Sequence, residues 1–192
     1  MKKGKESVRI EPIFSCELGI LGVFCAKFED CMRVFHSLDA YEKGQGTLVT
    51  IGTFDGVHFG HRTILERLVE EAQKTGGESL LISFHPHPRL VLRPEDDSLR
   101  LHHTLEEKIA MLEQIGLDKL LLIPFTKAFS QLTSDQYIQQ VLIDTAAPRK
   151  IIIGYDHRFG HDRKGGIIEL EKYATQYHYQ VEEIPVQAVD DA

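Results

Sequence analysis

The stretch "GTFDGVHFGH", residues 52 to 61, places His58 and His61 three residues apart, just ahead of a run with helical periodicity. Residues three apart share one helical face, so both imidazoles can donate hydrogen bonds to the same anion. Gly52 and Gly56 permit tight turning, and Gly60 lets a ligand approach the backbone closely. A helix beginning here adds unpaired N–H groups and a positive dipole end, which suit a phosphate. That set fits nucleotidyl transfer, in which a phosphate on one substrate attacks the α-phosphorus of a nucleotide and pyrophosphate leaves. The attacking group is already a nucleophile, so no serine or cysteine intermediate is needed. Positioning and charge stabilisation, usually with a divalent metal, supply the catalysis.

Other chemistries compete for the same residues. A Walker loop needs G-x-x-x-x-G-K-[ST], which the chain lacks. A dehalogenase-type phosphatase needs an aspartate two positions before Asp55, where Thr53 stands. A zinc site on His58 and His61 has no obvious third ligand, although His85, His87, His102, His103, His157 and His161 keep it open. A purely structural turn is the remaining reading.

Two further clusters carry chemistry-bearing side chains. In "SFHPHP", residues 83 to 88, Pro86 and Pro88 stiffen an extended path out of a predicted strand. The plainer reading is a rigid connector with exposed histidines. In "GYDHRFGHDRKGG", residues 154 to 166, Gly154 allows close approach and Asp156 can accept hydrogen bonds from ribose hydroxyls. Arg158, Arg163 and Lys164 bring positive charge, either for ligand phosphates or for surface ion pairs worth little.

The elements that must position these clusters alternate regularly. "TLVTIGTF" reads as a buried strand, and "HRTILERLVEEAQKT" places Ile64, Leu65, Leu68, Val69 and Ala72 on one helical stripe that Gly76 and Gly77 end. "ESLLISF" is the next strand, followed by a Pro- and His-rich loop from His85 to His103. Thr104 and Glu107 form a capping box for the helix "LEEKIAMLEQI", which Gly116 stops. "KLLLIPF", "RKIIIG" and "YQVEEIP" are strands, with helices "SDQYIQQVLI" and "GIIELEKYATQYH" between them, and "MRVFHSL" opens an earlier strand at Met32. Near-continuous apolar strands separated by helices predict an α/β fold, a parallel sheet with helices on both faces. Active sites in such sheets lie outside the carboxyl ends of the strands, where all three clusters fall. No internal repeat or low-complexity segment interrupts this order.

The 192-residue chain is 42% hydrophobic, enough for one well-cored domain and marginal for two. A formal net charge of −7 argues against a broad nucleic-acid-binding face. No apolar run reaches the roughly 20 residues of a membrane span. Cys16, Cys25 and Cys31 all fall in the first 31 residues, so neither a disulfide framework nor a cysteine-based zinc site holds the core. A reducing, cytoplasmic setting is the simplest expectation. The basic start "MKKGK" is followed by Glu6, Glu11 and Glu17, and the apolar "LGILGVFCA" comes late without a small-residue cleavage pattern, which argues against a signal peptide. Residues 1 to 31 read as an N-terminal extension of uncertain status, and 32 to 192 as the domain proper.

"GTFDGVHFGH", "SFHPHP" and "GYDHRFGHDRKGG", in this order and spacing, resemble the FAD synthetase domain of bacterial bifunctional riboflavin kinase/FMN adenylyltransferase. H-x-G-H alone admits pantetheine-phosphate, nicotinate-nucleotide and cytidylyl transferases as well. The resemblance implies a Rossmann-like nucleotidyltransferase fold and the reaction ATP + FMN → FAD + pyrophosphate, with Mg²⁺ carried by ATP. It implies that His58 and His61 hold the triphosphate and stabilise the transferring phosphoryl group. Gly52, Thr53, Phe54, Asp55, Gly56 and Gly60, with Gly154, Asp156 and Arg158, are then expected at ATP. Phe84, Pro86, His87 and Pro88, with Asp156, Phe159 and Arg163, are expected at FMN. Family members commonly carry an aromatic residue where this chain has His157. The resemblance also implies an arginine-bearing Ser-Ser-Thr-x-x-Arg-type segment after Ala192 and a riboflavin kinase domain in cis, so the sequence reads as a C-terminally incomplete adenylyltransferase module.

Overall fold

The runs ESLLISF, KLLLIPF and RKIIIG become strands close to their expected length, because each buries side chains on both sheet faces. In the computed structural model, residues 31–55, 59–95 and 103–185 are described. The expected extension, apart from Cys31, lies outside them, as do Gly56, His58 and His102. The strands are β1 (Arg33–Phe35), β2 (Leu48–Ile51), β3 (Ser79–His85), β4 (Lys119–Pro124), β5 (Lys150–Gly154) and β6 (Gln180–Ile184). They form one six-stranded sheet in the order β1-β4-β3-β2-β5-β6, and each pair is parallel. The expected strand at residues 32 to 38 shortens to three residues and lies at the sheet edge beside β4.

Alternate strand residues supply two separate apolar layers. Val49, Ile51, Leu80, Ile82, Leu121, Ile123, Ile151 and Ile153 pack on one face, and Leu48, Leu81, Leu120, Leu122 and Ile152 on the other. The second face is covered by helix α1 (Phe59–Thr75), through Leu65, Leu68 and Ala72, and by α3 (Leu105–Ile115), through Leu112. The expected stripe on α1 is therefore its core face, and α1 starts two residues earlier than the periodicity indicated. Gly76 ends it at φ +64°, with the Gly77 N–H returning to the Ala72 carbonyl at 3.0 Å. The predicted capping box of α3 is present: the Glu107 N–H reaches Thr104 Oγ1 at 3.2 Å, and the Thr104 N–H reaches Glu107 Oε2 at 2.8 Å.

The first face is covered by α6 (Ile167–Tyr177) and by α5 (Ser134–Tyr137) with the segment that continues it, Ile138–Ala146. That segment corrects the expectation of an ordinary helix over residues 134 to 143. It is wound as a π-helix, and its polar partners follow the wider period. Gln139 Nε2 meets Asp144 Oδ1 at 2.8 Å, Thr145 Oγ1 meets the Gln140 carbonyl at 2.8 Å, and the Ala147 N–H closes on the Leu142 carbonyl at 2.7 Å. The loop expected from His85 to His103 also contains one element that periodicity does not show: Pro88–Leu92 forms a short helix α2 behind a His87 cap. A second, Lys127–Ser130, forms α4 after β4. Among the described residues, no helix is long and apolar enough to cross a membrane.

The amino edge of the sheet is stitched by charge. Lys119, 1% exposed, gives its ammonium to Glu78 Oε2 at 2.8 Å and to the Glu42 carbonyl at 3.1 Å. Arg67 on α1 donates to both Glu182 oxygens, at 2.8 and 3.2 Å, and Lys150 joins Glu182 at 2.6 Å and Glu71 at 3.1 Å. The Arg67 hydrogen bonds foremost, with Lys150 beside them, pull the Glu182 carboxyl from 4.5 down to about 2 against the opposing effect of burial. A carboxylate held below its unfolded value stabilises the fold above the unfolded pKa and loses that contribution as pH falls. Denaturant unfolding across pH should thus show stability lost between pH 4.5 and about 2, and Glu182→Gln should flatten that window while lowering stability at neutral pH. An unchanged acid slope in the variant would show that the network contributes nothing.

Candidate functional site

β2 and β5 are neighbours only over Leu48↔Lys150 and Val49↔Ile151, whereas β2 stays paired with β3 as far as Ile51↔Ile82. β5 stays paired with β6 as far as Gly154↔Ile184. The two central strands therefore part before their carboxyl ends. The chain also reverses its direction across the sheet here, from β3 and β4 on one side of β2 to β5 and β6 on the other. A crevice at such a switch point is the usual ligand site of a parallel sheet. Here it is a cleft of about 680 Å³, and Thr50 and Ile51 line it just past the last β2–β5 pair.

Most of the expected residues meet in this cleft. Gly52, Thr53, Phe54, His61, Gly154, Asp156 and Arg158 line it, as do Phe84, His87, Pro88, Phe159 and Arg163. Asp55, Gly60 and Pro86 lie outside the lining, and a Cβ at Gly60 would meet nothing within 4 Å, so no crowding demands a glycine there. Lys164 also stays outside; it is exposed and reaches Asp162 at 3.5 Å. Gly56 and His58 fall beyond the described residues.

The turn after β2 is built from three constraints. The expected strand through Phe54 ends instead at Ile51, because Phe54 adopts φ +45° and reverses the backbone. A left-handed conformation at a bulky residue costs about 1–3 kcal/mol. Phe54 is nevertheless 3% exposed, buried in the layer under α1, and its ring meets the His61 ring at 4.7 Å between centroids. Gly52 is required by that ring, since a Cβ there would fall 2.7 Å from Phe54 Cε2. The third constraint is Lys108 on α3, whose ammonium donates to the Thr53 carbonyl and, at 2.6 Å, to Ser83 Oγ on β3. Burial pulls the Lys108 pKa down to about 8, against the opposing charge of Asp55.

The opposite wall is aromatic. Phe84, Phe125 and Phe129 form a triangle with centroids 5.7 to 5.8 Å apart, and Phe129 passes to Tyr137 at 6.0 Å. Tyr137 meets Phe159 at 5.2 Å, and His157 stacks on Phe159 at 5.8 Å. Burial pushes the His157 imidazole down to about 4, so it is neutral at pH 7, and its Nε2 is buried with no hydrogen-bond partner. The loop carrying these residues closes on itself: Phe159 and Gly165 exchange backbone hydrogen bonds at 3.1 and 2.9 Å, and a Cβ at Gly165 would strike the Phe159 ring at 2.5 Å. Its tip, His161–Arg163, is a 3-10 turn with Asp162 and Arg163 left-handed.

Cationic groups rim the cleft. Arg89 and Arg93 come from α2 and its end, and Arg158 and Arg163 from the loop after β5. His87 caps α2 through Nδ1, which accepts from the Arg89 N–H at 3.2 Å, while the His85–Pro86 peptide is cis. Burial lowers the His87 pKa, with the charges of Lys108 and Arg89 adding to it and Asp55 opposing. Sequence reasoning missed Phe125, although it directly follows β4 at the same sheet edge as the other clusters. Arg89 and Arg93 lie four apart on a helix too short to declare itself. Phe129, Tyr137 and Lys108 gave no signal, because only the tertiary fold brings them here.

A sequence profile of the FAD synthetase family matches residues 40–192. The bifunctional riboflavin kinase/FMN adenylyltransferase of Buchnera aphidicola subsp. Schizaphis graminum is 38% identical over 153 residues, 80% of this chain and 48% of that protein. The chain thus spans about half the length of the curated relatives it matches. Among solved structures, a macrolide-efflux protein from Streptococcus pneumoniae aligns with a TM-score of 0.73 at 21% identity, over 84% of this chain and 54% of that one. Pantoate-beta-alanine ligase from Francisella tularensis, solved with Beta-gamma ATP and Beta-alanine, aligns with a TM-score of 0.54 at 12% identity, over 83% of this chain and 69% of that one. At these identities the two structures speak for the fold alone, a Rossmann-like parallel sheet with helices on both faces.

The Gly52–Phe54 contact is open to test. Gly52→Ala forces its new methyl group against the buried Phe54 ring and should lower stability by about 1–3 kcal/mol, read from urea unfolding. Wild-type stability in the variant would mean that the ring yields freely and does not fix the turn.

Proposed function

Because this chain belongs to the FAD synthetase family, we propose that it transfers the adenylyl group of ATP to FMN, forming FAD and pyrophosphate. The supporting observation is that one cleft joins a phosphate-binding turn and cationic rim to a continuous aromatic wall. A nucleotide needs the first and a flat isoalloxazine ring the second.

In this reading Gly52, Thr53 and Phe54, with the start of α1, face the ATP phosphates, and His61 donates a hydrogen bond to the transferring group. Gly154 and Asp156 serve the ribose, and Arg158 the phosphates. Phe84, His87, Pro88 and Phe159 border the flavin, joined by Phe125 and Phe129, and Arg163 meets the FMN phosphate. An FMN phosphate oxygen attacks the α-phosphorus of ATP in line; the new P–O bond forms as the bond to pyrophosphate breaks. The protein's own contribution is to align the two phosphates and to stabilise the charge on the equatorial oxygens. Among the described residues no group of three or more His, Cys, Asp or Glu side chains comes together as a metal site. Magnesium carried by ATP would supply further charge neutralisation at the phosphates. The unit responsible is proposed to begin at Met32, with riboflavin phosphorylation, the second activity in the relatives' name, belonging to another domain of the same polypeptide.

Incubation with ATP, Mg²⁺ and FMN should yield FAD and pyrophosphate in equal amounts, separated by chromatography. Pyrophosphate without FAD would move the reading to another phosphorylated acceptor, and binding of flavin without either product would reduce it to a nucleotide-binding module. His61→Ala should cut turnover by about 10²–10³-fold, as for other preorganised donors, while thermal unfolding stays cooperative. Full turnover in that variant would remove His61 from the reaction.

A further inference from the structure

Lys108 is a cation enclosed beside the cleft but outside its lining, and the reaction proposed above leaves it unused. Its ammonium bonds the Thr53 carbonyl and Ser83 Oγ, and Ser83 Oγ itself donates to the Thr53 carbonyl at 3.2 Å. One carbonyl oxygen of the phosphate-binding turn is thus held by two donors from two different elements, β3 and α3. Ser83 is fully buried, so that anchor is rigid. The capping box at Thr104 and Glu107 fixes the first turn of α3, placing Lys108 in register to reach the turn.

A trans peptide plane points its C=O and N–H in opposite directions. Drawing the Thr53 carbonyl toward Lys108 therefore sends the Phe54 N–H the other way, and both Thr53 and Phe54 line the cleft. Among the described residues that N–H donates to no backbone carbonyl. Phe54 is left-handed, and a left-handed residue in a turn arrays successive N–H groups around a concavity that suits an anion.

We propose that Lys108 is a positioning residue of the phosphate site: by holding the Thr53 carbonyl outward it turns the Phe54 amide toward the nucleotide phosphates. It acts through the backbone and touches no substrate. The inference rests on the phosphate half of the function proposed above and not on the identity of the acceptor. The groups facing Lys108 are Asp55 on the β2 turn, Thr53 and Ser83 at the strand ends, and His87 ahead of α2.

The test compares the whole chain with Lys108→Met, which keeps the stem and removes the donors, and with Lys108→Arg, which stays charged at all accessible pH. Affinity for inorganic tripolyphosphate and for ATP is measured by calorimetry from about pH 7 to about pH 10, alongside thermal unfolding. Lys108→Met should weaken both ligands by about tenfold or more at pH 7. Wild-type affinity should fall as pH rises through about 8, where Lys108 loses its proton, and Lys108→Arg should hold its affinity across that range. Stability moves the other way. A lysine whose folded pKa lies below its unfolded value adds stability as pH climbs from about 8 to 10.5, so the lost affinity is not unfolding. Equal tripolyphosphate affinity in wild type and Lys108→Met would overturn the proposal, as would matching alkaline profiles in wild type and Lys108→Arg. Should Lys108→Met fail to unfold cooperatively, the arginine profile alone decides. Lys108-dependent tripolyphosphate binding without FAD formation would sink only the adenylyltransferase reading; FAD formation with Lys108-independent binding would sink only this one.

Discussion

The parting of β2 from β5 is the constraint on which the rest of this molecule depends. Over Leu48 and Val49 the two strands share a ladder; beyond it each keeps its outer neighbour and loses the inner one. Backbone groups released from a ladder must find other partners or face a ligand. Gly52 resolves this by pairing its N–H with the Ile82 carbonyl at 3.0 Å, which keeps β2 tied to β3 while the turn peels away. On the far side the Tyr155 N–H does the same with the Ile184 carbonyl at 3.1 Å. The cleft is thus held open from outside by intact outer ladders, and its width is a property of the sheet rather than of its loops.

Two unlike surfaces follow from that geometry. The β2 side ends in a turn whose shape is dictated by packing beneath it: Phe54 is buried under α1, and Gly52 exists to make room for it. The β5 side ends in a loop that folds back on itself through the Phe159–Gly165 bridge and hands its rings to those from β3, β4 and α5. The His161 N–H also bonds the Leu132 carbonyl at 2.7 Å, joining that loop to the segment before α5. A flat aromatic ligand needs this kind of wall, rigid and assembled from several elements, whereas a polyphosphate needs backbone amides on a fixed turn. Each wall is anchored in a different layer of the core, so the two surfaces proposed for these ligands are fixed independently.

Much of the fold was legible in the sequence. The α1 stripe, the Thr104–Glu107 capping box and the apolar strand runs are local patterns whose physics operates within a dozen residues. The strand order was not, since nothing in Arg33–Phe35 says that it pairs with β4. The π-wound segment Ile138–Ala146 keeps a helical composition while changing its period, and α2 is too short to show one. Of the site, the glycine and histidine motifs were readable because loops at one sheet edge were expected to converge. Phe129, Tyr137 and Lys108 were not, because on helices they carry the ordinary signature of core or surface positions. Local rules found the residues of the loops, and only packing reveals the residues behind them.

An acidic chain of net charge −7 is an unexpected host for the polyanions proposed above, and the resolution lies in where its charges are spent. Along the amino edge of the sheet, cations are neutralised at close range: Lys119 by Glu78, and Arg67 and Lys150 by Glu182 and Glu71. At the carboxyl edge, among the described residues, Arg93, Arg158 and Arg163 form no ion pair with a carboxylate, and the positive end of α1 opens toward the same space. Field lines from such groups concentrate in a cleft walled by low-dielectric aromatic rings, where an anion feels them far more than the net charge of the whole. Among the described residues, Glu66, Glu70, Glu106, Glu113 and Asp144 lie on exposed helix faces, where their charge is screened within about 8 Å at physiological salt. Net charge thus describes the outside of the molecule, and the unpaired arginines describe its site.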